Sequence, residues 1–406
     1  MEKFSRNFFE SLDSELVKAT RFSEIYKLKD LADGQFYCLK KVPKIVPKPH
    51  SSEKELSIMK MLDNNSNIVP LLGSWNHRDE IVLAMPFYNS MLADVLIPHW
   101  RPVQKKKSYL TSMLHVSSSD TVGTISEQDF FINKTPKSLI QKVTTDLFKA
   151  LSFLHENKII HRDIKLDNVM YSSETDQFVV IDFGISCVFD GSKDHDGITD
   201  IATGYYKPIE ALLGIKKYDQ KLDVWSAMVL IQQLSLAFIC CYDIPLDLYQ
   251  ESVKNGGDTP EEWISSICAL NIKSENYDMS YNHIISENNF PTLISDGSMF
   301  YENTLCQGSD IKLLSNIHGL FGCPLQNQFP LAKEVNSWLY FFNNLDNPTD
   351  KYFADSKERK AFIKKMLFQR FDNDAFADEC LLHMCFFEPS ERITFKECLD
   401  VCKKWF

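Results

Sequence analysis

The sequence is poor in features that would place a protein outside the cell. Its eleven cysteines are scattered over 406 residues, their number is odd, and no CxxC pair occurs among them. The opening stretch, MEKFSRNFFESLDSE, is too polar to act as a secretory signal. Because disulfide frameworks belong to oxidising compartments, we expect reduced, mostly structural thiols and a location in the cytoplasm and nucleus.

A long hydrophobic run and an excess of positive charge are also missing. The most apolar stretch, Ala227 to Cys241, is too short to span a bilayer comfortably and is interrupted by Gln232 and Gln233. We predict that it is a buried helix. The net charge of −11 argues against nucleic acid or an anionic membrane as the main partner. We therefore expect no nucleic acid and no membrane among the partners.

Length and composition indicate a globular protein of two lobes or domains. A hydrophobic share of 44% beside 24% charged residues is typical of soluble chains, and 406 residues can bury a large core. Two irregular stretches, about 98–134 and 243–309, are longer than loops in compact domains usually are, so we interpret them as insertions. The run Lys105-Lys106-Lys107 weakly resembles a nuclear-import patch, although a solvated face is the more common reading.

The most informative motifs are HRDIKLDNVM at 161–170 and IDFG at 181–184. A D-x-K-x-x-N pattern is followed fourteen residues later by DFG, and the apolar segment 178–181 leads into it. A single tripeptide recurs by chance, whereas this order and spacing is hard to obtain by accident. The two motifs resemble those of eukaryotic protein kinases.

The residues of these motifs suit phosphoryl transfer from ATP, which requires positioned reactants, neutralised phosphate charge and an acceptor for the hydroxyl proton. Asp163 is the candidate for orienting the substrate hydroxyl and accepting its proton, and Lys165 can stabilise charge on the transferring phosphate. Asn168 and Asp182 offer the oxygen ligands that Mg²⁺ prefers. We therefore expect ATP and Mg²⁺ as cofactors.

The resemblance implies an α+β, bilobal protein kinase fold. A small, mainly antiparallel β N-lobe with one helix is expected beside a larger, mainly helical C-lobe. We assign residues 1–85 to the N-lobe, 86–88 to the hinge and 89–406 to the C-lobe, which contains both insertions. Lys165 favours serine/threonine specificity, and Thr203 matches the threonine that contacts the catalytic aspartate and lysine in such kinases.

Lys40 matches the third-strand lysine that contacts the α- and β-phosphates in kinases, although a surface lysine beside Lys41 is the alternative. Its expected partner is Glu55 on the following helix. The pattern Ser52-Glu53-Lys54-Glu55 is also typical of a capping box, in which Glu55 caps its own helix and Glu53 becomes the reserve partner. We favour the ion pair between Lys40 and Glu55.

The same resemblance places the adenine site at the hinge that follows Met85, the gatekeeper position. Pro86 has no amide donor but keeps the carbonyl that adenine needs, and Tyr88 keeps the amide. Four apolar residues are expected to line the adenine, although they can also be ordinary core residues: Val17, Ile25, Cys38 and Met170.

Further positions match structural residues of kinases. Glu210, in the sequence PIE, and Arg392 match a structural ion pair. Asp223 matches the aspartate that holds the backbone of the catalytic loop. Arg162 matches the arginine that pairs with an activating phosphate.

The chain departs from the kinase pattern in the glycine-rich loop, which should occupy residues 18–23. Its three glycine positions hold Lys18, Thr20 and Ser23. Glycine lets the backbone approach the phosphates without a Cβ, so we predict weak ATP affinity. The departure leaves two interpretations, a non-catalytic scaffold or an active enzyme that relies on Lys40 and Mg²⁺. We favour activity, because a scaffold does not require the four motif residues.

The activation segment departs as well, since Ile198 stands where cyclin-dependent kinases carry the activating phosphate. Isoleucine cannot be phosphorylated, and we hypothesise that an acidic side chain replaces the phosphate and makes the enzyme independent of an upstream kinase. The candidates are Asp194, Asp196 and Asp200. Thr199 is an alternative phosphorylation site.

Residues 153–165 and 199–207 resemble the monomeric CDK-activating kinases of budding yeasts, which share both departures. The similarity covers about residues 14–97, 137–235 and 310–406. It implies transfer of the ATP γ-phosphate to the activation-loop threonine of a cyclin-dependent kinase, by a monomer without a cyclin of its own. Another serine/threonine kinase of the same branch and a non-catalytic scaffold are the alternatives.

Overall fold

The computed structural model describes residues 4–62, 65–102, 130–189, 197–235, 238–240, 310–325, 327–334, 352–371 and 375–406. The predicted insertion 243–309, the lysine run 105–107 and two of the acidic candidates, Asp194 and Asp196, lie outside the described residues.

A five-stranded antiparallel sheet with the order β1-β2-β3-β5-β4 forms the smaller lobe. The elements of this lobe are α1 (Arg6–Glu10), β1 (Asp13–Ala19), β2 (Glu24–Lys29), β3 (Phe36–Pro43), α2 (Ser52–Met61), β4 (Gly73–His77) and β5 (Glu80–Pro86). Side chains alternate across β3, so Tyr37 and Leu39 lie on one face and Cys38 and Lys40 on the other. The second face belongs to the cleft between the lobes.

Helix α1 covers the outer face of the sheet with aromatic side chains. Phe9 is only 1% exposed, and its ring lies 5.5 Å from that of Tyr37 and 5.8 Å from that of Trp75. Ser5 begins the helix by accepting a hydrogen bond from the Phe8 amide. This helix was not predicted, because five residues are too few for a periodic pattern.

The larger lobe is mainly helical and is built around α6. Its helices are α3 (Leu92–Leu96), α4 (Lys137–Glu156), α5 (Ile209–Leu212), α6 (Lys221–Ser235), α7 (Asp310–Phe321), α8 (Lys357–Leu367), α9 (Leu382–Met384) and α10 (Phe395–Trp405). Short paired strands lie at the cleft: β6 (Ser90–Met91) and β11 (Gln177–Val180) flank β10 (Val169–Ser172), and β9 (Ile159–Ile160) pairs with β12 (Cys187–Val188). The two-lobed α+β architecture is confirmed.

The predicted buried helix over 227–241 exists but has different ends. Helix α6 begins at Lys221 and ends at Ser235, and Phe238–Cys240 form a strand instead. Trp225 and Met228 are fully buried in the helix, as expected from the apolar run. The prediction of a helix is wrong at the C-terminal end of the apolar run, because a short apolar segment fits a strand as well as a helix.

The prediction that 98–134 is irregular is wrong at both ends of the stretch. Trp100–Pro102 (β7) and Phe130–Asn133 (β8) pair in an antiparallel manner, and Phe238–Cys240 (β13) adds to β8. Aromatic and β-branched residues favour strands, and pairing satisfies their backbone groups. The Asn133 amide group donates to the Leu234 carbonyl, which ties this sheet to the end of α6. The middle, 103–129, is outside the described residues.

In the ranges that the structure describes, no helix has both the length and the apolar character needed to cross a bilayer.

Candidate active site

Asp223, at the start of α6, fixes the backbone of the segment that carries the HRD motif. It is fully buried and accepts hydrogen bonds from the amides of His161 and Arg162, each at 2.9 Å. The ring of His155 lies 3.0 Å from the same carboxylate. The backbone of the first two residues of this motif is therefore held from within the larger lobe.

The Asp163 carboxylate is held by three side chains. The amide group of Asn168 donates to it at 3.0 Å, the Thr203 hydroxyl at 2.7 Å, and Lys165 Nζ lies 2.8 Å away. Lys165 also donates to the Thr203 hydroxyl at 3.0 Å. These four predicted residues form one cluster, in which the carboxylate is only 14% exposed and its orientation is fixed before any substrate binds.

Lys40 joins the two lobes through two carboxylates. Its Nζ lies 2.6 Å from Glu55 Oε1 and 2.7 Å from Asp182 Oδ1. Helix α2 is capped by Ser51, whose hydroxyl accepts from the Lys54 amide, so Glu55 does not cap its own helix. Glu53 is exposed. The structure thus pairs Lys40 with the favoured candidate, Glu55.

Lys40 and Asp182 stabilise each other's charged form, against the effect of burial on each. Burial alone lowers the pKa of Lys40, but Asp182 and Glu55 outweigh it, so the net pKa lies above its usual value. Burial alone raises the pKa of Asp182, yet the Lys40 cation brings it below its usual range. Lys40 therefore stays protonated and Asp182 ionised, which suits binding of phosphates and of a cation.

Gly184 permits the close approach of three charged groups. A Cβ at this position would lie 3.3 Å from Asp182 Oδ1, 3.7 Å from Glu55 Oε2 and 3.8 Å from Lys40 Nζ. Its carbonyl accepts from the Ser51 amide at 3.0 Å, so the start of α2 is tied to the DFG motif.

The donor set suits Mg²⁺ better than a metal that needs a full protein cage. Within the described ranges, no group of three or more His, Cys, Asp or Glu side chains is placed to hold an ion. Asn168 and the 43% exposed Asp182 offer oxygens at the cleft. Mg²⁺ is commonly bound by one or two such groups plus substrate phosphates, so these residues fit it.

The residues predicted to line the adenine come from both lobes. Cys38 and Tyr88 pack against the main core, and burial raises the pKa of the Cys38 thiol to about 11 and that of Tyr88 to about 12. Ile25 pairs with Lys40 across β2 and β3, and Met170 lies on β10. Val17 is 53% exposed, at an irregularity of β1.

The hinge begins at the last residue of β5. Pro86 pairs with Tyr37 in the sheet, and the Phe87 amide donates to the Phe36 carbonyl at 3.3 Å.

The divergent loop is a tight turn between β1 and β2. Thr20 closes it: its hydroxyl accepts from the amides of Phe22 and Ser23 at 3.1 and 3.0 Å, and its own amide donates to the Ser23 carbonyl at 2.9 Å. The Phe22 ring lies 3.8 Å from that of His50, which precedes α2. Sequence reasoning missed His50, because the prolines around it indicated only an irregular connection.

Comparison with known proteins agrees with this geometry. The sequence model of the protein kinase domain matches residues 19–406. The chain belongs to the protein kinase family. It is similar to serine/threonine-protein kinase CAK1 of Saccharomyces cerevisiae, at 27% identity over 96% of this chain and 97% of that protein. Human cyclin-dependent kinase 20 is 28% identical, over 52% of each chain, so that alignment spans about half of either protein. These relatives and the domain support a serine/threonine kinase.

In this kinase Arg162 connects the HRD motif to the activation segment. Arg162 is fully buried, donates from Nε to the Ile185 carbonyl at 2.6 Å and from a terminal nitrogen to the Tyr218 hydroxyl at 3.0 Å. That hydroxyl donates to the Ile198 carbonyl at 2.8 Å. Asp200 points elsewhere, with 92% of its side chain exposed and its carboxylate 3.8 Å from Lys207.

Apolar packing holds the same part of the kinase. Ile198 and Ile201 pack in a small core of their own, separate from the main one, and Tyr218 in that core is 3% exposed. The other members are Ile160, Cys187, Phe189, Ala211 and Leu222. Sequence reasoning missed the role of Tyr218, although this residue lies only five positions before the predicted Asp223.

The kinase's predicted structural pair is present and doubly bonded. Arg392 donates to both oxygens of Glu210 at 2.7 Å, and both side chains are fully buried. The guanidinium also lies over the ring of Trp225, 5.3 Å from its centroid. This pair anchors α5, directly after the activation segment, to the C-terminal part of the lobe.

Proposed function

We propose that this kinase transfers the γ-phosphate of ATP to the activation-loop threonine of a cyclin-dependent kinase. The observation that carries the chemistry is the preassembled cluster of Asp163, Lys165, Asn168 and Thr203 beside the Lys40 ion pairs. The similarity to CAK1 along 96% of the chain supports the substrate, together with the resemblance of 153–165 and 199–207 to CDK-activating kinases.

Asp163 orients the attacking hydroxyl and takes its proton. The carboxylate suits this role because its neighbours fix its direction: Thr203 and Asn168 donate hydrogen bonds to it, and the Lys165 cation lies 2.8 Å away. Orientation matters here because phosphoryl transfer depends mainly on positioning and charge stabilisation.

Two lysines, one from each lobe, stabilise the negative charge of the phosphates. Lys40 is held in place by Glu55 and faces the α- and β-phosphates, whereas Lys165 faces the group in transfer. Asn168 and Asp182 would hold Mg²⁺, which supplies charge neutralisation on the phosphates when bound.

A non-catalytic scaffold is the second candidate, because the loop glycines are missing. Mg²⁺-dependent ATP turnover distinguishes the two: the assembled Asp163 cluster predicts turnover, and a scaffold shows none above the Asp163→Asn protein.

The substrate is tested with a cyclin-dependent kinase that carries either Thr or Ala at its activation-loop position. We expect labelling of the Thr form alone. Equal labelling of both forms contradicts the proposed substrate and leaves another kinase of the same branch as the alternative.

We further propose that the enzyme is active without an upstream kinase. The support is the bridge from Arg162 through Tyr218 to Ile198, at the position where a phosphate is expected. Activity should survive phosphatase treatment of the purified protein, and a large loss contradicts this proposal. A phosphate found at Thr199 after such a loss would identify the alternative site.

Independence from a cyclin and a monomeric state are also proposed. The support is that Glu55 on α2 already reaches Lys40, at 2.6 Å, in the single chain. The measurement is the activity of the purified chain at the mass of a monomer, determined by light scattering. Activity that appears only after a cyclin is added, or only at the mass of a dimer, contradicts it.

A further inference from the structure

A glycine loop offers backbone amides to phosphates, but in the turn between β1 and β2 these amides already form hydrogen bonds within the turn. The amides of Phe22 and Ser23 donate to Thr20 Oγ1, and the Thr20 amide donates to the Ser23 carbonyl. The Thr20 hydroxyl itself donates to the same carbonyl at 3.2 Å. Phosphate binding by these three amides would require the turn to be taken apart, so a cover for the phosphates has to come from other groups.

His50 lies between this turn and the DFG motif. Its ring is 3.8 Å from the ring of Phe22 at the tip of the turn. The next residue, Ser51, donates its amide to the Gly184 carbonyl at 3.0 Å. The imidazole is therefore placed at the phosphate end of the cleft, on the side from which α2 begins.

The charged groups that act on His50 are those of the reaction centre and the turn: Asp182, Lys40, Asp163 and Arg21. Burial lowers the pKa of His50 and favours the neutral ring, which still has one N–H donor. Its Nδ1 is shielded from solvent and has no hydrogen-bond partner among the described residues. A buried polar atom without a partner is uncommon, and this nitrogen is available for a hydrogen bond to a ligand.

Arg21 supplies the cation of the turn. Its guanidinium lies over the Phe22 ring, 4.5 Å from the centroid, and its side chain is exposed at the tip. Arginine binds phosphate oxygens through a planar set of donors, so Arg21 offers the turn a side chain of the chemistry that phosphate requires.

We propose that the side chains of Arg21 and His50 bind the phosphates of the nucleotide, in the role that backbone amides have in a glycine loop. This inference rests on the proposed use of ATP and adds the residues that cover its phosphates. Thr20 is then a positioning residue, because it closes the turn that carries Arg21 toward the cleft.

The test compares two ligands that differ in their phosphates. Dissociation constants for Mg²⁺-ATP and for adenosine are measured by calorimetry on wild type, Arg21→Gln and His50→Phe. Phenylalanine keeps a ring against Phe22 and removes the nitrogens, so it separates hydrogen bonding from packing. Lys29→Ala is the matched control, because Lys29 is an exposed cation at the other end of the same hairpin.

Each of the two variants should weaken ATP binding by about tenfold, the loss of one hydrogen bond to a charged group. Adenosine binding should stay within about twofold of wild type, and Lys29→Ala should change neither constant. Wild-type ATP affinity in both Arg21→Gln and His50→Phe overturns the inference while the proposed function stands. So does an equal loss for ATP and adenosine, since that indicates a packing role. A wild-type protein that binds adenosine but gains nothing from the phosphates overturns both proposals.

Discussion

The two walls of the cleft are built on different principles. The wall from the larger lobe is a cross-linked set of polar side chains, in which Asp163 has three partners and is 14% exposed. The wall from the smaller lobe ends in β1, whose residues are all exposed, and in a turn closed by Thr20. The first wall fixes reacting groups. The second holds Lys40 in place through Glu55, but its exposed edge at β1 and the turn has only a ligand to cover.

This difference shows which part of a kinase site tolerates change. A proton acceptor misplaced by a fraction of an ångström loses most of its effect, so the Asp163 cluster keeps its residue types. Phosphate charge, in contrast, can be met by any donors that reach it, whether backbone amides or side chains. The loss of three glycines is therefore compatible with an intact reaction centre.

The largest effect is expected from breaking the first wall at its centre. Asp163→Asn removes the proposed proton acceptor and should lower kcat by about 10²–10⁴-fold without changing the thermal unfolding temperature. Steady-state kinetics and calorimetry measure both quantities. Asp167→Asn, an exposed neighbour in the same loop, is the control and should keep wild-type kcat. A small loss in Asp163→Asn would mean that another group accepts the proton.

The support behind that wall is tested by Glu210→Gln. The change leaves the Arg392 guanidinium buried without a charged partner, and removal of one member of such a pair costs about 3–5 kcal/mol. Urea denaturation measures the free energy of unfolding. Asp400→Asn breaks an exposed pair with Lys403 and should leave the free energy of unfolding almost unchanged. Equal losses in the two variants would contradict an anchoring role for Glu210.

A smaller effect is expected where the activation segment meets the first wall. Tyr218→Phe removes the hydroxyl that joins Arg162 to Ile198 and should lower kcat by about tenfold, since one hydrogen bond to a charged group is lost. Tyr171→Phe removes an exposed hydroxyl bonded to Asp176 and is the control. If both variants turn over equally, the hydrogen bonds of the Tyr218 hydroxyl do not determine the position of the segment.

The smallest effect is expected from changing the β1–β2 turn of the second wall. The triple change Lys18→Gly, Thr20→Gly and Ser23→Gly frees backbone amides for the phosphates but makes the turn more flexible. We expect the Michaelis constant for ATP to fall a few-fold, because the two consequences partly cancel. An unchanged constant would show that this turn never limited ATP affinity, against the weak affinity that the sequence predicts.

The sequence was sufficient to predict those site residues that lie close together in the chain. Asp163, Lys165 and Asn168 lie within six positions, and their spacing alone brought them to one cluster. Glu55 was different, because its sequence pattern fitted a helix cap as well as an ion pair. Only the N-cap at Ser51 and the 2.6 Å contact with Lys40 decided between them.

The features that were missed depend on contacts between distant segments. The ring of His50 contacts that of Phe22 in the β1–β2 turn across 28 positions, and the Tyr218 hydroxyl donates a hydrogen bond to the Ile198 carbonyl across 20. No local pattern encodes either contact. The strands at 100–102 and 130–133 pair across the proposed insertion. Each of these strands is too short to show a periodic pattern in the sequence. Tertiary pairing decided these cases.

The aromatic helix α1 sets a practical limit on where this protein can be shortened. The family match begins at residue 19, whereas Phe9 is buried against Tyr37 and Trp75 of the sheet. A fragment cut at the family boundary loses this cover and also most of β1, and it presents bare aromatic rings to its neighbours in solution. The independently folding unit therefore starts earlier than the family signature, and recombinant fragments that respect only the signature are expected to aggregate.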